Sequence, residues 1–383
     1  TDAAGRARLG DRWRRSARLS DKLIRTSLSE IRVDDDPELG VPPVTSDRNR
    51  AWIVERPVVG EYSPDCLRLA ERPVPEPGDG EVLVRTLLVS IDPTTRNWLT
   101  LDPAKQFIPF GVGDPVLSAN VGIVVESRHP DYAVGDTVRG HWGIADYGVA
   151  VPFTLERLDA EGVPDEAQLS AFSHVGRAAA VGLLWAAELR DGDTVVVSGA
   201  AGATGSIAVQ LAKSRGHRVV AIAGGAEKTA YCRSIGADEA IDYRSEDVAE
   251  RLVALVPEGV DLYFDNVGGP ILDAVLANMA VGCRIAICGV MSQYQVERPE
   301  DAYGVRNLPN MLWKRATIRG FVVPDAGPER LAEYDRLLRE LHASGRLRVR
   351  AHILDGLESA AAAVGINYAG ANEGKLMVRV SDR

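Results

Sequence analysis

The stretch that decides the fold is SGAAGATGSIAVQLAKSRGHRVVAIAGGAEK, residues 198–228. An apolar strand over residues 194–197 leads into Gly199, Gly202 and Gly205, and an amphipathic helix follows. Glycines let a backbone approach a pyrophosphate without a Cβ clash, and the free amides at a helix start favour an anion. The spacing is not GxGxxG, and a tight strand-to-helix turn without a ligand would accept the same glycines. The nucleotide interpretation therefore depends on the surrounding chain.

The surrounding chain alternates apolar strands with helical stretches over about residues 193–321. Helices are predicted from about Thr204, from about Lys228 and over residues 248–255, between the strands TVVVSG, HRVVAIAG, EAIDY, VDLYFDNVG and RIAICG. This alternation is typical of a doubly wound parallel sheet, a Rossmann domain, and it supports nucleotide binding by the glycine loop.

The remainder of the chain has a different texture. Residues 51–172 are rich in β-branched residues interrupted by Pro and Gly, which predicts short antiparallel strands in a partly open β-barrel. The final strand KLMVRV is expected to return to that barrel. We therefore predict an α/β protein in three parts, with an extension at 1–50, a barrel-like substrate domain at 51–175 and 324–383, and a nucleotide-binding domain at 176–323.

Composition excludes several classes of protein. The 383 residues carry a net charge of −10, which favours a small-molecule partner over nucleic acid. The longest apolar run, residues 178–187, is too short to cross a membrane. Scattered cysteines without a CxxC pair predict reduced core thiols in a cytoplasmic protein; they are Cys66, Cys232, Cys283 and Cys288.

The first fifty residues differ from the rest of the chain. Residues 1–32 hold nine Arg or Lys against four Asp or Glu, and the charge reverses at DDDPE, residues 34–38. A transit peptide is one interpretation, but the acidic residues favour an appended arm. Ser20 would cap a short helix with one apolar face, which would dock on the body or on a second subunit.

The end of the second strand of the nucleotide domain indicates which nucleotide is bound. NAD sites usually place Asp or Glu there, whereas a 2′-phosphate needs space and positive charge. Here Gly224 and Gly225 are followed by Glu227 and Lys228. Glu227 would either serve NAD or start a helix, while the two glycines with Lys228 favour NADP(H). One charge-assisted contact contributes roughly 1.5 to 3 kcal/mol, or about ten- to a hundredfold in affinity.

Eight segments stand out along the chain, in the order VSIDPTTRNWL, AAGATGSIAVQLAK, VVAIAGGAEK, GADEAIDYRSED, VDLYFDNVGG, ICGVMSQY, KRATIRGFVV and YAGANEGKLMV. Together they resemble, in family order, the medium-chain dehydrogenase/reductase superfamily and its zinc-independent NADPH-dependent branch of prostaglandin, alkenal and curcumin reductases. The resemblance covers about residues 51–383 and leaves the extension outside. It implies a GroES-like barrel before a Rossmann domain.

The resemblance implies a set of cofactor-binding positions. In such families the glycine loop holds the pyrophosphate, the 2′-phosphate contacts match Lys228 and Tyr243, and the remaining positions surround the nicotinamide and phosphates. Without the family, Val267 and Phe321 would be read as core residues and Asn372 as a turn residue. The full set is Ala201, Gly202, Ala203, Thr204, Gly225, Lys228, Tyr243, Asn266, Val267, Tyr294, Phe321, Val322 and Asn372.

The chemistry expected is hydride transfer without zinc. A zinc dehydrogenase of this superfamily would show GHE near Asn120, and the lone His129, His141 and His174 form no ligand set. Reduction of an activated C=C bond needs only a hydride donor and a group that stabilises and protonates the enolate. Tyr294 is the candidate catalytic residue, either as an acid or in positioning the ribose.

Two departures from the family pattern concern the acceptor. SHVGRAAAVGLLW, residues 173–185, replaces a Pro-Gly-Leu/Thr-Ala-Tyr type segment, and Thr94 and Thr95 stand where relatives often have Tyr-Met. His174 and Arg177 would bind an anionic substrate or lie on the surface, and Arg96 is interpreted first as an architectural anchor.

Three functions remain open from the sequence: an NADPH-dependent enoyl or alkenal reductase, a quinone reductase, and a non-catalytic NADPH-binding sensor. Tyr294 and Asn372 together favour the enzyme. The resemblance also implies a homodimer formed through the edge of the nucleotide domain.

Overall fold

The computed structural model describes residues 48–158 and 163–383. Most of the predicted extension, including the Ser20 helix cap, lies outside the described residues. Its last three residues, 48–50, belong to the first strand, because Arg48–Val54 pairs antiparallel with Leu67–Pro73.

The strands of the described residues are β1 (Arg48–Val54), β2 (Leu67–Pro73), β3 (Val82–Ser90), β4 (Leu117–Ser127), β5 (Thr137–Gly143), β6 (Tyr147–Val149), β7 (Glu156–Arg157), β8 (Thr194–Ser198), β9 (Arg218–Ala223), β10 (Glu239–Asp242), β11 (Val260–Asp265), β12 (Met279–Ile287), β13 (Thr317–Gly320), β14 (Ala351–Asp355) and β15 (Lys375–Arg379). The α-helices are α1 (Pro93–Trp98), α2 (Asp165–Gln168), α3 (His174–Ala180), α4 (Ala203–Ser214), α5 (Ala226–Ser234), α6 (Val248–Leu255), α7 (Gly269–Ala277), α8 (Asn310–Lys314), α9 (Pro328–Ala343) and α10 (Ala360–Ala369). Helix α3 continues into a π-helical segment, Val181–Ala186.

A six-stranded parallel sheet forms the nucleotide-type half, in the order β10-β9-β8-β11-β12-β13. Its central strands are continuous apolar runs because helices cover both faces of the sheet. Val195, Val196 and Val197 in β8 are fully buried, and side chains from opposite faces of the strands belong to two different apolar clusters. The chain order reverses between β8 and β11, which creates the crevice where open α/β sheets bind ligands.

A second sheet forms the barrel-like half, in the order β14-β15-β3-β4-β5-β7, with β6 paired to β3. Strand β15 runs antiparallel to β3 and joins Met377 to Ser90, so the chain returns to this sheet after the nucleotide half. The predicted fold class, a β-rich amino-terminal part with a parallel-sheet Rossmann part, is confirmed. The exact domain boundaries stay a prediction.

Among the described residues, no helix combines the length and apolar character needed to cross a membrane. Cys66, Cys232 and Cys283 are buried, Cys288 is half-buried, and all four carry free thiols.

Candidate functional site

The glycine loop between β8 and α4 is closed tightly on itself. Gly199 has a φ of 57°, and its carbonyl oxygen accepts a hydrogen bond from the Gly202 N–H at 2.9 Å. A Cβ on Gly205 would overlap that same carbonyl oxygen and lie 2.9 Å from the Ala200 Cα. The loop therefore requires glycine, and it aims the unpaired first-turn amides of α4 at the crevice.

The loop after β9 is shaped by two contacts. A Cβ on Gly224 would lie 2.8 Å from the Tyr243 hydroxyl, so the aromatic ring packs directly over the glycine. The Gly225 N–H donates to Asp242 Oδ1 at 2.7 Å, and the Arg244 N–H donates to the same oxygen at 3.0 Å. These hydrogen bonds, with that from Ser245, lower the pKa of the Asp242 carboxyl. One carboxylate thereby fixes Gly225 and Arg244 beside each other.

Three cations surround this loop. Arg350 is paired with Glu227 at 3.1 Å and with Glu373, and its guanidinium stacks on an aromatic ring. Glu227 thus balances an arginine instead of facing the crevice. Among the described residues, Lys228 and Arg244 form no ion pair, and Lys228 Nζ donates to the Gly370 carbonyl at 2.9 Å. Burial lowers the pKa of Lys228, and the charge of Arg244 lowers it further, so a dianionic group would relieve this crowding of charge.

The turn after β11 is anchored by a buried carboxylate. Asp265 Oδ1 accepts from the Ser198 and Tyr263 hydroxyls and from the N–H groups of Val267 and Gly268, at 2.7 to 2.9 Å. Asn266 Nδ2 also donates to the Ser198 carbonyl at 2.7 Å. Asn266 and Val267 are therefore held next to the glycine loop.

Tyr294 follows a short 3₁₀ turn after β12. Its hydroxyl oxygen accepts a hydrogen bond from the Val290 N–H at 3.2 Å, which leaves the hydroxyl proton available to another acceptor. Burial raises the pKa of Tyr294 and the Val290 N–H only partly opposes it, so the phenol stays protonated at neutral pH.

The barrel-side wall carries a buried ion pair. Lys375 Nζ lies 2.6 Å from Asp92 Oδ1, and the Lys375 side chain is only 1% exposed. His174 Nε2 lies 3.6 Å from the other carboxylate oxygen. Burial alone would raise the pKa of Asp92, but the charges of Lys375 and His174 outweigh it and lower the pKa to about 2. The carboxylate is therefore ionised at any physiological pH.

These parts line one cavity of about 950 Å³ between the two sheets. An isolated parallel β-bridge between Gly202 and Gly374 connects the glycine loop to the barrel side of this cavity. The predicted site residues that line the cavity are Ala201, Gly202, Ala203, Thr204, Lys228, Tyr243, Asn266, Val267, Tyr294, Asn372 and His174.

Other predicted site residues are not brought to the cavity. Arg96 is buried and donates to the Gly60 carbonyl, in agreement with the architectural interpretation. Arg177 bridges Glu156 at 2.9 Å and Asp335 at 2.7 Å. Phe321 packs against the core beside Gly182, Val322 is 63% exposed, and Gly225 lies one residue from the wall formed by Gly224.

Sequence reasoning missed Asp92, Lys375, Arg244 and Asp265 as parts of the site. Arg244 follows Tyr243 directly, so its place beside the predicted 2′-phosphate contacts could have been found from the sequence. Asp92 and Lys375 are 283 residues apart, and no local pattern indicates that they pair.

The described residues contain no group of three or more His, Cys, Asp or Glu side chains that could hold a metal ion. The glycine cradle and the free cations do fit a phosphorylated dinucleotide.

Comparison with known proteins identifies the family. Residues 50–158 match the model described as the N-terminal domain of oxidoreductase, and residues 203–341 match the model described as zinc-binding dehydrogenase. The NADPH-dependent curcumin reductase of Escherichia coli is 35% identical over 339 residues, which are 87% of this chain and 97% of that protein. The NADP⁺-dependent 2-alkenal reductase of Nicotiana tabacum is 36% identical, over 80% of this chain and 89% of its own length.

A solved structure, CurA of Vibrio vulnificus in complex with NADPH, superposes with a TM-score of 0.81 at 31% identity, covering 87% of this chain and all of that one. The chain belongs to the medium-chain dehydrogenase/reductase superfamily, within its branch of NADPH-dependent reductases.

Proposed function

We propose that this protein binds NADPH in the cavity and reduces the C=C bond of an α,β-unsaturated carbonyl compound, either an enone, an enal or an enoyl thioester. The observation that carries the proposal is that one continuous cavity is lined both by the glycine loop with Lys228 and by residues of the barrel sheet. The names of the curcumin and alkenal reductases support the reaction class.

The cofactor assignment follows from charge and shape. The α4 amides at Ala203 and Thr204 would hold the pyrophosphate, and Lys228 with Tyr243 would hold the 2′-phosphate. Arg244, which has no ion pair among the described residues, would add a second cation there. Asn266 and Val267, fixed by Asp265, would border the nicotinamide side of the cavity.

The chemistry needs a hydride and a hydrogen-bond donor. NADPH, when bound, supplies the hydride to the β-carbon. The Tyr294 hydroxyl donates to the carbonyl oxygen, because its own oxygen is already an acceptor for Val290 and its proton is free. This hydrogen bond strengthens as negative charge develops on the carbonyl oxygen during reduction.

The acceptor would lie against Thr94, His174 and Ala178, all of which line the cavity. Arg177 is already balanced by two carboxylates and contributes no free charge to an anionic substrate. The proposed substrate is therefore a neutral acceptor at its reacting end.

A homodimer and a cytoplasmic location are part of this proposal. β13 is an edge strand whose four residues are all exposed, and an uncovered edge is a template for pairing with a second copy. Exposed apolar side chains in and around β13 support a homodimer; they are Leu308, Leu312, Trp313, Ile318 and Val322.

The proposal is tested by following NADPH absorbance at 340 nm with a panel of enones, enals, enoyl thioesters and quinones. We expect turnover with one of the C=C acceptors, and a Tyr294→Phe variant should lose about tenfold or more in kcat. Tyr132→Phe is a matched control, because the Tyr132 hydroxyl donates to Leu155 on the barrel. Turnover of quinones alone would indicate a quinone reductase, and tight NADPH binding without any turnover would indicate a sensor.

A further inference from the structure

His174 and Asp92 form a histidine–carboxylate pair on the wall of the cavity. The His174 side chain is 43% exposed and lines the cavity, whereas the Asp92 side chain is 14% exposed. Asp92 occupies the N-cap position of α1, yet its carboxylate makes no capping hydrogen bond to that helix. The carboxylate is instead directed to Lys375, Ser90 and His174.

This arrangement fixes the charge beside the imidazole. Lys375 holds Asp92 as a carboxylate, and the second carboxylate oxygen faces His174 Nε2 at 3.6 Å. A carboxylate next to one ring nitrogen orients an imidazole and stabilises its protonated form. The exposed portion of the ring is then available to a molecule in the cavity.

We propose that His174, positioned by Asp92, is the proton donor to the α-carbon of the acceptor. This inference rests on the proposed function and deepens it, since that proposal uses Tyr294 for the carbonyl oxygen and names no proton donor to the α-carbon. As the hydride adds to the β-carbon, the C=C electron pair moves to form an enolate. The enolate α-carbon then takes a proton from the His174 imidazolium, a C–H bond forms, and the neutral imidazole regains a proton from solvent.

The charged and titratable groups that face His174 determine its pH dependence. They are Asp92, Lys375, Arg139, Arg177 and the imidazole of His141, whose ring centre lies 6.5 Å away. Burial lowers the pKa of His174, the three cations lower it further, and Asp92 opposes them. The imidazolium is the active form, so kcat should rise as the pH falls from 8 towards 5.

The test replaces the proton donor and keeps the cavity. We expect His174→Gln and His174→Asn to lower kcat at pH 6 by about a hundredfold, with NADPH affinity, measured by cofactor fluorescence, changed less than twofold. The rise of kcat at low pH should disappear in both variants. His129→Gln is the matched control, because His129 lies in a barrel loop away from the cavity. Its Nδ1 accepts a hydrogen bond from the Asp131 N–H at 3.1 Å.

A stereochemical readout separates proton delivery from a structural role. Reduction of 3-methyl-3-penten-2-one creates a stereocentre at the α-carbon, and wild-type enzyme should give one enantiomer of the product. The His174 variants should give both, because water then delivers the proton to either face. In Asp92→Asn/Lys375→Met, which removes both members of the buried ion pair, the kcat profile should shift to lower pH.

The outcomes are distinguishable from those of the proposed function. A wild-type enzyme that binds NADPH and reduces no C=C acceptor overturns the proposed function, and the assignment of His174 falls with it. Variants that keep both the rate and the enantiomeric purity overturn the assignment of His174 alone.

Discussion

Lys228 and Arg244 differ from the neighbouring Arg350 in their partners rather than in their charge. Arg350 is balanced by two carboxylates, whereas Lys228 is held by the Gly370 carbonyl. A carbonyl oxygen is easily exchanged for a phosphate oxygen, and a carboxylate partner is not. We therefore predict that selectivity for a 2′-phosphate depends on Lys228 and Arg244, which form no ion pair among the described residues.

Replacement of Lys228 by Ala should raise the dissociation constant of NADPH by about ten- to a hundredfold and leave that of NADH almost unchanged. Arg244→Ala should act in the same direction with a smaller effect. Isothermal titration calorimetry with both nucleotides measures the ratio of the NADPH and NADH dissociation constants. Lys105→Ala, at an exposed barrel residue paired with Asp102, is the control. If Lys228→Ala leaves this ratio unchanged, the assignment of Lys228 to the 2′-phosphate is wrong.

Single residues could be predicted from the sequence when their role depends on a local position. Lys228 follows the end of a strand by five residues, so its place beside the crevice follows from the strand prediction alone. Arg177 shows the opposite case, because the carboxylates that balance it are 21 and 158 residues away. Charge balance by distant partners has no local signal.

At the scale of elements, the connection between β8 and α4 leaves little room for substitution of its glycines. The Gly199 carbonyl oxygen accepts a hydrogen bond from the Gly202 N–H, and the Gly205 Cα packs closely against the same carbonyl group. The loop and the first turn of the helix therefore form one rigid unit. Rigid placement of amides lets a helix start bind an anion without a cost of ordering.

Gly205→Ala should lower the free energy of unfolding by about 2 kcal/mol, because its Cβ would meet backbone atoms that cannot move aside. NADPH affinity should fall more than tenfold as the helix start shifts. Urea unfolding and fluorescence titration measure the two effects. At Gly304, with no atom within 4 Å of an added Cβ, the same substitution should change neither. Wild-type values in Gly205→Ala would contradict the rigid loop.

Periodicity predicted most elements of the nucleotide half, and α6 occurs over the predicted residues 248–255. The limits of the method appear at β12, which begins at Met279, five residues before RIAICG. Exposed Val281 and a left-handed Gly282 interrupt the apolar pattern there. The strand persists because it pairs with β11 and β13, which is a tertiary effect.

At the scale of the whole molecule, the apolar edge around β13 predicts self-association. Trp313, at 72% exposure, and Ile318 lie on this edge. Trp313→Glu should therefore convert a dimer of about twice 41.2 kDa into a monomer, as measured by light scattering after size exclusion. Phe153→Glu, at an equally exposed aromatic residue on the barrel, should leave the dimer intact. A wild-type protein that is monomeric in solution would contradict the proposal that this edge forms a dimer interface.

The return of β15 to β3 has a consequence for how the protein is made. On the ribosome, all strands of the parallel sheet are available for folding before β15 emerges. Residues 83–85 of β3 can already pair with β6, whereas residues 88–90, which pair with β15, stay without that partner until the chain reaches Lys375. The Asp92–Lys375 pair and the bridge from Gly202 to Gly374 form only after that. We therefore expect premature termination between Arg346 and Lys375 to release a nucleotide half attached to a barrel that lacks β15, a species exposed to aggregation and proteolysis.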